Sequence, residues 1–256
     1  MPMKVLLVEA LSVKTSNGRI YVLVKRNEKI ILQVLDKDLK IIDELTSLNG
    51  NRGFILKVLR EGVLVCVDNK LYLVQDGEAE IVLRASNPNN AFLHAIEVEG
   101  KMYVHEYGVS PTRIFVSEDL RRWKVVATNL DIDRSSRHFH DIAYDPYRKW
   151  LIVTLGDGNL VRVAVSENEG SSWKPLYKGP WQFFPILVLG DRLVFGMDSG
   201  IARGGISVYN FDDRRWSHIF LRWCNSDVKL AQMRDLKLVD NRFFVAGLGT
   251  SSCCCE

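Results

Sequence analysis

Two histidines one residue apart open the stretch RHFHDIAYDPYRKWLIVTLGD, residues 137–157, and a Gly-Asp pair closes it. Side chains on a strand alternate between two faces, so His138 and His140 project from one face and Phe139 and Asp141 from the other. Two imidazoles side by side can chelate a divalent metal once a carboxylate completes the set, with Glu106 or Asp157 as the third ligand and water in the remaining position. Without a metal they are neutral rings hydrogen-bonded to their surroundings. His105, Glu106 and Tyr107 end an apolar run in MYVHEY, and Asp157 and Asp198 end comparable runs in VTLGD and VFGMD. A hydrated ion on the histidines, with Tyr107 or Glu106 as base, would suit a lyase or hydrolase.

These residues need elements to hold them, and the elements are strands. KVLLVEA, RIYVLVK, KIILQVL, GFILKVL, GVLVCVD and KLYLVQD are short, rich in branched and aromatic residues, and separated by Gly, Asn and Asp. Turn signals every ten residues or so predict an all-β protein. FVSEDLRRWKVV, AVSENEGSSWKPL and VYNFDDRRWSHIF resemble one another: a strand, a polar turn, then Trp opening a second strand. Aligning Asp119, Asn168 and Asp212 gives a repeat of roughly 45 residues, with weaker copies around Asp38 and Asp76. Units of that length imply a β-propeller of four-stranded antiparallel blades, five full blades plus a partial sixth. The predicted blades are 3–50, 53–86, 91–130, 137–180 and 181–222, in a single domain over 1–256 with 251–256 as a Cys-rich tail.

The turns resemble the Asp box, Ser-x-Asp-x-Gly-x-x-Trp, of the sialidase-like, or BNR-repeat, β-propellers. Ser166, Asn168, Gly170 and Trp173 match its spacing with Asn for Asp, and Ser117, Asp119 and Trp123 match with one residue fewer. The resemblance implies a structural hairpin device, the Asp or Asn accepting backbone N–H bonds and the Trp packing between blades. It also implies that the first strand of each blade is innermost and lines a central channel. The run from Met102 to Asp198 resembles an uncharacterised subset of that family. This implies a pocket of Glu106, Tyr107, Arg137, His138, His140, Asp157, Gln182 and Asp198, with His105 beside it. Asp145, in Tyr-Asp-Pro, is expected to form a turn. A sialidase would grip a substrate carboxylate with arginines, for which Arg113, Arg137 and Arg203 offer charge, and would pair Tyr107 with an acid such as Asp157 or Asp198. The first two blades offer no equivalent polar residues.

The 256 residues are 47% hydrophobic and 25% charged, as in an ordinary globular protein. A formal charge of +3 with scattered basic residues argues against a nucleic-acid partner. No apolar stretch reaches membrane-spanning length, and Glu9 interrupts the short N-terminal apolar run, so a cytoplasmic monomer is expected. Cys66 and Cys224 read as buried thiols, and Cys253, Cys254 and Cys255 lack zinc-knuckle spacing. Function stays open between two classes. One is a non-catalytic propeller binding a glycan or protein partner at one mouth; the other is a metal-dependent or sialidase-type carbohydrate-active enzyme, a glycoside hydrolase or lyase.

Overall fold

The computed structural model describes residues 10–157, 161–198, 204–220, 230–240 and 242–250. Cys224, Arg203 and Cys253 to Cys255 lie outside the described residues. Contacts divide the chain into two compact units, residues 1–126 and 127–256.

In the first unit β1 (Ala10–Ser16), β2 (Arg19–Arg26), β3 (Lys29–Leu35) and β4 (Ile41–Asn49) form one antiparallel meander. A second contains β5 (Gly53–Leu59), β6 (Gly62–Val67), β7 (Lys70–Gln75) and β8 (Glu78–Arg84). A third contains β9 (Ala91–Val98), β10 (Lys101–Tyr107), β11 (Arg113–Ser117) and β12 (Lys124–Thr128), the unit boundary falling in β12. The second unit begins with a one-turn helix, α1 (Asn129–Ile132). A fourth sheet follows, β13 (His138–Asp145), β14 (Trp150–Gly156), β15 (Val161–Ser166) and β16 (Lys174–Lys178). The fifth is β17 (Phe183–Val188), β18 (Arg192–Met197), β19 (Gly205–Asn210) and β20 (Trp216–Phe220), and β21 (Leu230–Val239) pairs with β22 (Arg242–Thr250). These are the five four-stranded blades expected from the repeat, the second to fifth within a few residues of their predicted bounds, while the expected start of the first lies outside the described residues.

The middle strands are apolar on both faces, and within each unit neighbouring sheets cover them. Leu23, Ile30 and Leu32 of the first blade pack on Ile55, Val63, Val65 and Val74 of the second. Leu64, Cys66 and Leu73 of the second meet Phe92, Val104 and Phe115 of the third. In the other unit Ile152, Val163 and Val165 meet Phe183, Phe195 and Tyr209. Each such side chain contributes about 1.5–3 kcal/mol by leaving water. Within each unit the first strands are neighbours in order, β1 beside β5 beside β9, and β13 beside β17 beside β21.

Every one of these first strands breaks register against its partner. The bulges fall at Leu11, Leu56, Leu93–His94, His140, Phe184–Pro185 and Arg234. A bulge leaves ladder groups unpaired, and side chains from the preceding blade take up two of them. Ser12 Oγ accepts from Ile55 N at 3.0 Å, and Asp141 Oδ2 accepts from Ile186 N at 2.9 Å.

Turn chemistry follows the expected device with two shifts of anchor. Asp119 Oδ1 accepts from Arg121 N and Arg122 N, and Asn168 Oδ1 accepts from Ser172 N. Trp123 packs with the layer between the second and third blades. In the fifth blade the carboxylate that holds the turn is Asp213, through Arg215 N, not Asp212. In the first it is Asp36, through Asp38 N and Lys40 N, not Asp38. The carboxylate must sit where the tightening backbone presents its N–H groups, and sequence alignment alone is blind to that by a residue or two. Asp145 forms its turn as expected, accepting from Tyr147 N at 2.9 Å and pairing with Arg148 at 3.0 Å.

Cys66 is fully buried, donating to Asp68 O and accepting from Phe92 N, and burial pushes its thiol up to about 12. Iodoacetamide at pH 8 should therefore leave Cys66 unmodified in the native protein and alkylate it after guanidinium unfolding, as read by peptide mass spectrometry. Replacing Asp141 by Ala strands the Ile186 N–H and should lower unfolding free energy by about 1–3 kcal/mol in urea titration.

Candidate functional site

The second-to-third strand connections sit at corresponding ends of their blades. They are residues 27–28 and 68–69 in the first two blades, and 108–112, 157–160 and 198–204 in the next three. Asp157 and Asp198 open the connections of the fourth and fifth blades.

His138 opens β13 opposite Gly156, and His140 occupies the bulge two residues on. The two rings do share a face, but the bulge rather than a regular pleat aims them at each other. Their Nε2 atoms lie 3.1 Å apart and the rings stack at 5.1 Å with 26° between planes. At that separation one Nε2 donates and the other accepts. Both residues are nearly inaccessible, 3% and 5% exposed. Gly156 makes the arrangement possible, because a Cβ there would overlap the His140 ring.

Each histidine faces a carboxylate. His138 Nε2 lies 3.8 Å from Asp157 Oδ2, and His140 Nδ1 lies 3.7 Å from Asp198 Oδ2. Asp157 follows β14 in the left-handed region, φ 49°, a conformation that Asp tolerates better than most residues. Gln182, just before β17, donates its Nε2 to Asp157 Oδ1 at 3.0 Å, while its backbone carbonyl accepts from Asp198 N at 2.9 Å. Arg137, with an exposed side chain, reaches Asp157 Oδ2 at 3.5 Å. Burial pushes the Asp157 carboxyl up. The Gln182 hydrogen bond and the electrostatic influence of His138, His140 and Arg137 outweigh that and hold it below the usual carboxylate range.

Arg137, His138, His140, Asp157, Gln182 and Asp198 are thus gathered in the second unit by the ends of β13, β14, β17 and β18. Glu106, His105 and Tyr107 lie on β10 of the first unit. Glu106 is fully buried and accepts from Ser86 N at 2.5 Å, Ser86 Oγ at 2.7 Å and Arg113 N at 3.1 Å, which is the bonding of a loop anchor. His105 is fully buried, its Nδ1 3.3 Å from the Glu106 carbonyl, and Tyr107 is partly exposed. Among the described residues no three His, Cys, Asp or Glu side chains gather into a metal-holding group.

Three features escaped the sequence reading. Asp68, at φ 52° after β6, is a counterpart of Asp157 in a blade expected to have none; it accepts from Asn51 N and Arg52 N, closing its own blade. Gly156 has no side chain to mark it in the sequence, yet its place opposite a histidine makes it a spacer. Arg162, on β15, donates to Gly179 O and lies within electrostatic reach of Asp157.

No protein-family model matches the chain, and no curated protein matches its sequence. Solved structures do match. A nidogen/laminin complex aligns at TM-score 0.60 with 10% identity over 83% of this chain and 80% of that one. Oligogalacturonate lyase in complex with manganese aligns at 0.57 and 12%, over 78% and 61%. Oligopeptidase B from Leishmania major aligns at 0.57 and 11%, over 89% and 34%. The fold is a β-propeller. At these identities the likeness extends to architecture alone, and such blades serve neighbours of varied function. Among the described residues no helix is long and apolar enough to cross a membrane.

Gly156→Ala should cost about 1–3 kcal/mol by pushing the His140 ring aside. In a His140→Ala background the same change should cost much less, a coupling that a double-mutant cycle in urea reads directly. The depressed Asp157 pKa gives stability that is present above the ordinary carboxylate range and is lost as pH falls through the folded-state value. The melting temperatures of wild type and Asp157→Asn should accordingly differ at pH 7 and converge in acid.

Proposed function

We propose that this β-propeller binds an acidic glycan in the second-unit pocket of Arg137, His138, His140, Asp157, Gln182 and Asp198. The observation that carries the reading is the convergence of one guanidinium, two imidazoles, two carboxylates and an amide from corresponding ends of two consecutive blades. Sugars are recognised by such sets: carboxylates and amides bind neighbouring hydroxyls, and a planar guanidinium takes a carboxylate through two parallel hydrogen bonds. Arg137 is exposed and suits that last role. The likeness in fold to oligogalacturonate lyase supports a uronate as the first ligand to try. The turn bonding of Ser117 with Asp119 and Ser166 with Asn168 supports the sialidase-like resemblance, within which the protein would be a cytoplasmic monomer. Among the described residues no three His, Cys, Asp or Glu side chains gather into a metal-holding group, and metal enters as one arm of the test.

Isothermal titration with galacturonate and its trimer, with and without manganese, checks the proposal. Saturable binding without manganese is expected, weakened about tenfold or more by Arg137→Ala and by Asp157→Asn, since hydrogen bonds to charged groups are worth about 1.5–3 kcal/mol. Absence of binding to either sugar would sink it. Binding that appears only with manganese, together with cleavage of the trimer, would replace it by the lyase alternative.

A further inference from the structure

Beside the pocket runs a half-open aromatic slot. Trp216, His218 and Phe220 alternate along the outermost strand β20 and so share one face. Trp216 is stacked into the core on Phe183, 9° from parallel, and Phe220 is exposed at the rim. Trp181 leans on His218 at 6.3 Å and on Phe220 at 5.4 Å, and Tyr177 of β16 closes the other side at 6.2 Å from His218. The slot therefore joins the fourth and fifth blades within one unit.

Its polar edges point to a ligand. His218 Nδ1 is tied at 2.8 Å to Ser207 Oγ, a hydroxyl with no solvent exposure. This bond fixes the ring, and burial lowers the His218 pKa, which keeps the imidazole neutral near pH 7. Among the described residues, His218 Nε2, Trp181 Nε1 and Tyr177 Oη have no hydrogen-bond partner. Apolar ring faces framed by three such groups match a pyranose, whose C–H face stacks on an aromatic ring while its hydroxyls bond at the edge.

Chain adjacency and one guanidinium link the slot to the pocket. Trp181 precedes Gln182, whose amide holds Asp157. Arg162 is within electrostatic reach of both Asp157 and Tyr177, and its guanidinium donates to Gly179 O between Tyr177 and Trp181. A chain of sugars leaving the Asp157 pocket past Gln182 meets these aromatic rings next.

We propose that Tyr177, Trp181, His218 and Phe220 form a second sugar subsite, which stacks the pyranose adjacent to the one held at Asp157 and so selects oligomers over single sugars. The inference rests on the acidic-glycan reading and deepens it. Titrating the full chain with galacturonate and its trimer separates the two. The trimer should bind more tightly than the monomer by about threefold to tenfold, the equivalent of one aromatic stacking contact. Phe220→Ala, at the exposed rim, and Trp181→Ala should each shrink that advantage without changing monomer affinity, and Trp181→Phe should restore most of it. Equal affinity for monomer and trimer in wild type, or variants that weaken both sugars alike, would overturn the subsite and leave the pocket standing. If neither sugar binds, the acidic-glycan reading falls and takes the subsite with it.

Discussion

A four-stranded meander with apolar residues on both faces of its middle strands is stable only when another sheet covers each face. Burying those faces makes the layers between blades, such as Leu32 against Val65 or Val163 against Phe195, the main apolar reservoir of each unit. It also accounts for the contrast between the almost fully apolar β6 and β7 and the polar β8 at the edge of the same sheet. The first strands, which neighbour one another, bend through bulges, and the bulges create unpaired N–H groups. Ser12 and Asp141 supply two of the missing acceptors from the adjacent blade. Packing and hydrogen bonding therefore link consecutive blades at the same places.

The candidate site grows from that architecture with few additions. An acidic residue at the end of a second strand can serve its own blade, as Asp68 does by accepting from the loop that leads into β5. Asp157 occupies a similar place but accepts from Gln182 of the next blade, so its second oxygen faces His138 and Arg137. The bulge at His140 directs its ring over Gly156, where only a hydrogen fits. One departure in hydrogen-bond partner and one close approach thus turn a generic blade end into a polar cluster. The connections of the fourth and fifth blades open with Asp157 and Asp198, while Asp68 and Glu106 are taken up by loop backbone N–H groups.

Much of this was legible in the linear chain. Alternation and continuous apolar runs specify strands locally, because side chains on a strand repeat every two residues and covered faces demand apolar residues. The spacing of Asp119, Asn168 and the Trp residues marked blade length, since each blade reuses the same turn device. His138, His140, Asp157 and Asp198 stood out as polar residues at the ends of apolar runs, where burial makes them expensive without partners.

What tertiary structure alone decided is which of these groups meet. Bulges depend on pairing with a neighbouring strand, so the sequence could not show that His140 sits in one or that Gly156 must lack a side chain. Glu106 looks equivalent to Asp157 in sequence, yet its carboxylate is taken up by Ser86 and Arg113. The aromatic slot draws Tyr177, Trp181 and His218 from separate segments of the fourth and fifth blades, a juxtaposition without any local signature. Strand type and repeat length were set by short-range patterns, whereas hydrogen-bond partners and ring contacts were set by sheet-on-sheet packing between residues distant in the chain.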